Sequence, residues 1–206
     1  FLGKRRLDEA LKAVAGPVNV GWYPFQLNPE IPPEGQAFDD YLTRRFGSRD
    51  AIDPVLEELT REGERQGIRF AFDRIQHVPN TLPAHQVMQH AETLGKDQTE
   101  LAEALMVAFF EDGRDIGERD VLTEVAARVG MRGRDVRTAI GSDQVRQVVV
   151  AREAQVRSSG LNAAPGFLLN RRLLVVGAQP NEAIVNAFDR AMFGEGTDEL
   201  VSPALH

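Results

Sequence analysis

The side chains that most often carry catalysis are sparse in this 206-residue chain. It contains no cysteine, so its residues offer no disulfide, no thiolate metal site and no cysteine nucleophile. Its four histidines, at positions 77, 85, 90 and 206, include no His-x-x-x-His pair, so we expect no histidine-rich zinc site and no bound metal. We expect His85 to be a packing or surface histidine rather than an acid–base catalyst.

Basic residues cluster where the first helical pattern begins. Lys4, Arg5 and Arg6 are consecutive, and cations at a helix N-terminus are unfavourable for the helix itself. Two interpretations stay open. The cluster is either a solvated face balanced by Asp8 and Glu9, or a positive field that favours an anion just upstream.

Two further positions are candidates for ligand contact. Phe25 and Asn28 follow a predicted strand, and open α/β sheets place ligand crevices at such strand ends. Core packing explains Phe25 and Leu27 equally well, and a turn explains Asn28. Gln179 precedes Pro180 at a predicted helix N-terminus, which can bind a carboxylate or can simply be capped.

Composition and charge exclude several classes of protein. Hydrophobic residues make up 42% and charged residues 27%, which is typical of an ordinary globular protein. The formal charge of −7 argues against a nucleic-acid partner, and no apolar run approaches the roughly 18 residues of a membrane span. The first residues are basic and quickly amphipathic rather than signal-like, so we expect a cytoplasmic protein without a membrane partner.

Hydrophobic periodicity predicts one helix, one strand, a long helical block, two strands and a last helix. The predicted helices are a first helix ending at Gly16-Pro17, then 38–46, 53–67, a series from Asn80 to Arg157 broken near Gly141-Ser142, and a last one after Pro180. The predicted strands are 18–23 and a hairpin of 166–170 with 173–176, and residues 68–73 are predicted as a short strand or an extended segment. We also expect Asp97 and Asp120 to cap helices.

This order of elements predicts an α/β core with a helical insertion. Residues 1–36 and 161–206 would form the core, and residues 37–160 the helical lobe. A strand parallel to 18–25, reached by a right-handed crossover through the first helix, would complete the sheet. Neither that strand nor a helix cap is visible before the first helix, so we expect residues to precede Phe1 in the intact protein.

Five short segments carry a recognisable pattern. They are Gly3-Lys4-Arg5-Arg6-Leu7, Trp22-Tyr23-Pro24-Phe25-Gln26-Leu27-Asn28-Pro29, Pro33-Glu34-Gly35, Asn80-Thr81-Leu82-Pro83-Ala84-His85 and Gly177-Ala178-Gln179-Pro180. Together they resemble the DsbA-like thiol–disulfide oxidoreductases of the FrnE type, over essentially the whole chain. That group also includes the kappa-class glutathione transferases and the 2-hydroxychromene-2-carboxylate isomerases.

The resemblance implies a thioredoxin-like core with a large helical insertion. It places a Cys-x-x-Cys pair immediately before Phe1, or a serine there in the glutathione-transferase branch. Ala163-Ala164-Pro165 matches the family's cis-proline loop, whose backbone would pair with a peptide or glutathione substrate. Ala-Ala-Pro-Gly departs from the family's usual Gly-Val-Pro and aromatics, which leaves the substrate preference open. Without the resemblance, Pro165 would simply begin an edge strand in the trans form.

Three functions follow from these observations. The resemblance implies a thiol–disulfide oxidoreductase or disulfide isomerase, with its catalytic residues outside the printed chain. The alternatives are a kappa-like glutathione transferase or isomerase and a redox-inactive thioredoxin-fold binding protein. We expect no resident cofactor, glutathione as a possible substrate or reductant, a protein or small-molecule disulfide or thiol as partner, and a homodimer as a possible assembly.

Overall fold

The computed structural model describes residues 1–193. Its contacts divide the chain into two compact units. The first combines Phe1–Val20 with Val156–His206, and the second is Gly21–Gln155. The prediction placed these boundaries at 36/37 and 160/161, so the two divisions differ mainly in where residues 21–36 belong.

The first unit is a pair of helices packed beside a β-hairpin. Helix α1 (Leu2–Ala13) and the last helix, α9 (Asn181–Phe193), share one apolar cluster with strands β3 (Gly166–Leu169) and β4 (Leu173–Val176). The strands pair antiparallel, with Gly166 opposite Val176. The buried members of this cluster are Leu7, Ala10, Leu169, Leu173, Val175, Ile184, Ala187, Phe188 and Ala191. Positions spaced three and four apart on each helix thus form the stripe that packs inward.

The second unit is built almost wholly from helices. They are α2 (Phe38–Phe46), α3 (Arg49–Arg65), α4 (Leu82–Thr93), α5 (Gln98–Phe110), α6 (Arg119–Ala127), α7 (Gly133–Gly141) and α8 (Asp143–Ser158), the last running into the first unit. A two-residue antiparallel ladder joins β1 (Gln36–Ala37) to β2 (His77–Val78). The core of this unit lies among α4 to α7, where Val87, Leu101, Leu122, Val125 and Val136 are almost completely buried.

The predicted helices over 38–46 and from α4 to α9 and the predicted hairpin are confirmed. Four local predictions are wrong, one of them the strand alternative for 68–73. Within residues 1–193, neither 18–23 nor 68–73 forms a strand, because no neighbouring strand there supplies a hydrogen-bonded ladder. Helix α3 begins at Arg49, so Pro54 lies inside it rather than at its start. Helix α6 begins at Arg119, which places Asp120 inside its first turn instead of at the cap.

Several hydrogen bonds connect residues 21–36 to the helices and loops of the second unit, to which the segment belongs. The Trp22 indole donates to the Thr99 hydroxyl, Gln26 binds Glu153, Asn28 donates to the Tyr41 hydroxyl, and Asn80 donates to the Ile31 carbonyl. Within residues 1–193, no helix is both long and apolar enough to cross a bilayer.

Candidate functional site

The loop before β3 carries the predicted substrate-binding residues of the first unit. The Ala164–Pro165 peptide bond is cis. Pro165 and Ala163 are half-buried, whereas Ala164 is exposed. The Pro165 carbonyl accepts a hydrogen bond of 2.8 Å from the backbone N–H of Gly177, which prolongs the hairpin pairing by one bond. The loop is therefore anchored to the end of β4, with Ala164 on its open side.

Pro165 lies directly against the first turn of α1. Gly3 is buried there, and a Cβ atom added to it would overlap the Cγ atom of Pro165 and lie 2.9 Å from its Cβ. The same atom would lie 3.4 Å from Cζ of Phe167. Only a residue without a side chain permits this approach, so Gly3 brings the loop to the N-terminal end of the helix.

The charges at that end of α1 are partly sequestered. Lys4 is 8% exposed and its Nζ lies 2.7 Å from a carboxylate oxygen of Asp8. The Arg5 guanidinium stacks 4.9 Å above the ring of Phe1. The first turn holds no acidic residue, and its N-cap makes no side-chain hydrogen bond. Asp8 balances Lys4 and Arg5, as the first interpretation expected, but Lys4 itself is buried rather than solvated. A positive field that favours an upstream anion stays a prediction.

Gln179 makes local hydrogen bonds in this structure, and its contact with a substrate stays a prediction. Its side-chain amide donates to the Val176 carbonyl at 2.9 Å, and its backbone N–H donates to Gly177. Helix α9 begins two residues later, at Asn181. Gln179 thus closes the turn after β4. In the same turn the Ala178 carbonyl accepts a hydrogen bond from the Arg6 guanidinium, which ties the turn to α1.

The other two predicted residues, Phe25 and Asn28, lie in the second unit. Phe25 is half-buried, and the Asn28 amide donates to the Tyr41 hydroxyl at 3.3 Å. Leu27 is 50% exposed, so its assignment to the core is wrong. The structure therefore groups Ala163, Ala164, Pro165 and Gln179 in one unit, and Phe25 and Asn28 in the other.

A buried carboxylate that sequence reasoning missed holds this second segment. Glu153 is 6% exposed, and its two oxygens accept from the backbone N–H and the side-chain amide of Gln26, at 2.9 and 2.8 Å. Gln26 is itself 9% exposed. The only sequence signal was that Gln26 stands in the Pro-Phe-Gln-Leu-Asn-Pro run, since Glu153 lies on a helix rich in charged residues.

His85 belongs to the same group of residues. Burial lowers the pKa of its imidazole, while the negative charge of Glu153 and a hydrogen bond with the Phe25 backbone oppose that shift. The predicted packing role fits these contacts. Among the residues that the structure describes, no group of three or more histidine, aspartate or glutamate side chains could hold a metal ion.

The family follows from a comparison with known proteins. Residues 1–189 match the model of the DSBA-like thioredoxin domain. The chain belongs to that family. The recognition of DsbA-like proteins and the predicted thioredoxin-like fold with a helical insertion are thereby confirmed, and the FrnE subtype stays a prediction.

Three individual proteins are similar to this chain. An uncharacterised protein of Bacillus subtilis strain 168, YwbO, is 26% identical over 196 residues, which are 95% of this chain and 90% of that protein. A probable DsbA oxidoreductase from Streptomyces coelicolor superposes with a TM-score of 0.87 at 25% identity, over 97% of this chain and 87% of its own. A solved protein from Nitrosomonas europaea, 15% identical, matches 70% of this chain and 73% of its own with a TM-score of 0.54, which shows the fold alone.

Proposed function

We propose that the intact protein is a thiol–disulfide oxidoreductase or disulfide isomerase whose Cys-x-x-Cys pair immediately precedes Phe1. The observation that carries this proposal is the contact of Pro165 with Gly3 in the first turn of α1. It brings the candidate substrate loop against the helix end where the family match begins. The positive end of the helix dipole and the nearby Lys4, Arg5 and Arg6 would favour a thiolate over a thiol.

The chemistry would be thiol–disulfide exchange. The first cysteine, as thiolate, attacks one sulfur of the substrate disulfide, so that a mixed disulfide forms and the other substrate sulfur leaves as a thiolate. The second cysteine then attacks the mixed disulfide and releases the reduced substrate. Two electrons pass from the enzyme dithiol to the substrate disulfide, and the reverse sequence oxidises a substrate dithiol. Isomerisation ends instead when a substrate thiolate resolves the mixed disulfide.

The substrate contacts proposed in the first unit are Ala163, Ala164 and Pro165. Ala164 is exposed next to the anchored proline, so its backbone is available to an extended peptide or to glutathione. Gln179, which closes the neighbouring turn, is a further proposed contact. In the second unit, Phe25 and Asn28 are the proposed contacts. The protein would need no resident cofactor and would act in the cytoplasm, which fractionation of cells expressing the intact gene product would test.

The deciding experiment is to read the codons before Phe1 and to assay the full-length protein. A Cys-x-x-Cys sequence together with dithiothreitol-driven reduction of insulin would support the proposal. An intact Cys-x-x-Cys protein without dithiol activity would refute it. A serine in the first position would favour the glutathione-transferase alternative, and neither residue would favour a binding protein.

A further inference from the structure

The segment that carries Phe25 and Asn28 is hydrogen-bonded to a buried carboxylate, that of Glu153. Gln26 lies between them and donates two hydrogen bonds to Glu153, which is 127 residues away on α8. A third contact joins the Phe25 backbone to His85 on α4. Two helices of the same unit therefore grip two consecutive residues of a segment that has no strand partner in the described part of the chain.

A carboxylate in this position is an expensive way to stabilise a fold. Removing an ion from water carries a large desolvation cost, and apolar residues of similar volume often stabilise a protein as well or better. What a carboxylate adds is direction, because its two oxygens accept two charge-assisted hydrogen bonds with defined geometry. Glu153 uses them on the backbone and the side chain of a single residue, which fixes both the position and the rotation of Gln26.

That rotation decides which side chains the segment presents. In an extended chain successive side chains point to opposite faces. Pro24 and Gln26 are buried, whereas Tyr23 and Leu27 are 65% and 50% exposed. If the anchor at Gln26 were lost, a rotation of the segment would exchange the inward and outward residues. The anchor therefore controls the orientation of Phe25 as well.

We propose that Glu153 is a positioning residue, which fixes the Phe25–Asn28 segment through Gln26 so that Phe25 and Asn28 can meet a thiol or disulfide substrate. This inference rests on the proposed function. In this proposal Glu153 acts through Gln26 and not by contact with the substrate. Its loss should therefore weaken substrate binding and leave the chemical step unchanged.

The test uses the full-length protein and insulin reduction. Glu153→Leu removes both acceptors, and we expect KM to rise at least five-fold while kcat stays within two-fold of the wild-type value. Glu153→Gln keeps a side-chain oxygen for the Gln26 backbone N–H, and we expect a smaller rise. Glu124→Gln is the matched control, because Glu124 is an exposed glutamate of the same unit paired with Arg114. It should leave both constants unchanged.

Hydrogen–deuterium exchange separates the two proposals. The Gln26 amide should exchange faster in Glu153→Leu, while amides of α5 and α6 keep their wild-type rates. Gln26→Ala gives a second variant should Glu153→Leu fail to fold, since it keeps the charge and one hydrogen bond; its KM should also rise. A folded Glu153→Leu protein with wild-type KM, or with unchanged exchange at Gln26, would overturn the inference. A wild-type protein without dithiol activity would instead refute the proposed function. The exchange rate of the Gln26 amide would in that case still show whether Glu153 anchors the segment.

Discussion

Gly3 packs directly against the ring of Pro165 and leaves no room for a methyl group on residue 3. A Cβ on Gly3 would overlap the proline ring, and it would also come within 3.4 Å of Phe167. The residues are 162 positions apart in sequence, yet their contact joins the first turn of α1 to the loop before β3. Gly3 therefore permits the close approach of α1 to the loop that we propose as the substrate contact.

Gly3→Ala should destabilise the protein. Alanine favours a helix interior by up to about 1 kcal/mol over glycine, but overlap with a stiff ring in a packed site costs roughly 1–3 kcal/mol. We therefore expect a net loss of about 1 kcal/mol in urea unfolding. Gly141→Ala is the control, because a Cβ there meets nothing within 4 Å, and it should be neutral or slightly stabilising. Equal effects of the two substitutions would contradict the contact.

Asp97 and Asp120 offer a second comparison. Both were predicted as helix caps, but only Asp97 accepts hydrogen bonds at an N-terminus, from the backbone N–H groups of Thr99 and Glu100 at 2.8 and 2.9 Å. Asp97→Ala should lower the free energy of unfolding by about 1 kcal/mol, the usual worth of a cap. Asp120→Ala removes an exposed carboxylate from the first turn of α6, together with its surface ion pair with Arg119, and should cost about 0.3 kcal/mol. Chemical denaturation measures the free energy of unfolding of both variants. If Asp120→Ala lost more stability than Asp97→Ala, the assignment of Asp97 as the helix cap would be contradicted.

The same comparison shows how far the sequence alone can reach. Amphipathic spacing and glycine or proline stops are local signals, so the helices of the second unit and the hairpin could be predicted. A strand is defined by its partner, so the alternation at 18–23 could not by itself produce one. The burial of Glu153 depends on Gln26, 127 residues earlier. No periodicity reports such a pair, since a glutamate on a helix rich in charges is typical of an exposed face.

Protonation of His85 should make the free energy of unfolding of this protein depend on pH. Burial holds the pKa of its imidazole below the ordinary value near 6.5, against the opposing effects of Glu153 and the Phe25 backbone. The unfolded chain therefore binds a proton on His85 at a higher pH than the folded protein does. The stability that the neutral imidazole contributes is fully present above about pH 6.5 and is lost as the pH falls through the window below it.

Urea unfolding at pH 7.5 and pH 5.5 measures this effect. His85→Gln should reduce the loss of stability between the two pH values, because the titrating group is gone. His77→Gln is the histidine-matched control on the exposed surface, and it should retain the wild-type loss. If His85→Gln loses as much stability as the wild-type protein between pH 7.5 and 5.5, His85 is not the group responsible.

The hairpin turn contains a residue that strains its own backbone. Asn170 and Arg171 both have positive φ, at 49° and 58°, and the Arg172 N–H closes the turn on the Leu169 carbonyl at 3.0 Å. Asparagine tolerates this conformation, whereas arginine pays about 1 kcal/mol relative to glycine. Arg171→Gly should therefore stabilise the protein by roughly 0.5–1 kcal/mol in thermal or urea unfolding, although glycine usually destabilises.

Arg172→Gly is the natural control for that substitution. It removes the same charge one position later, where φ is not positive, so glycine only adds freedom to the unfolded chain. It should leave stability unchanged or lower it by up to about 1 kcal/mol. If Arg171→Gly raises the free energy of unfolding while Arg172→Gly lowers it, the gain at position 171 comes from relief of backbone strain and not from loss of charge. A stabilising effect at both positions would assign the gain to charge instead.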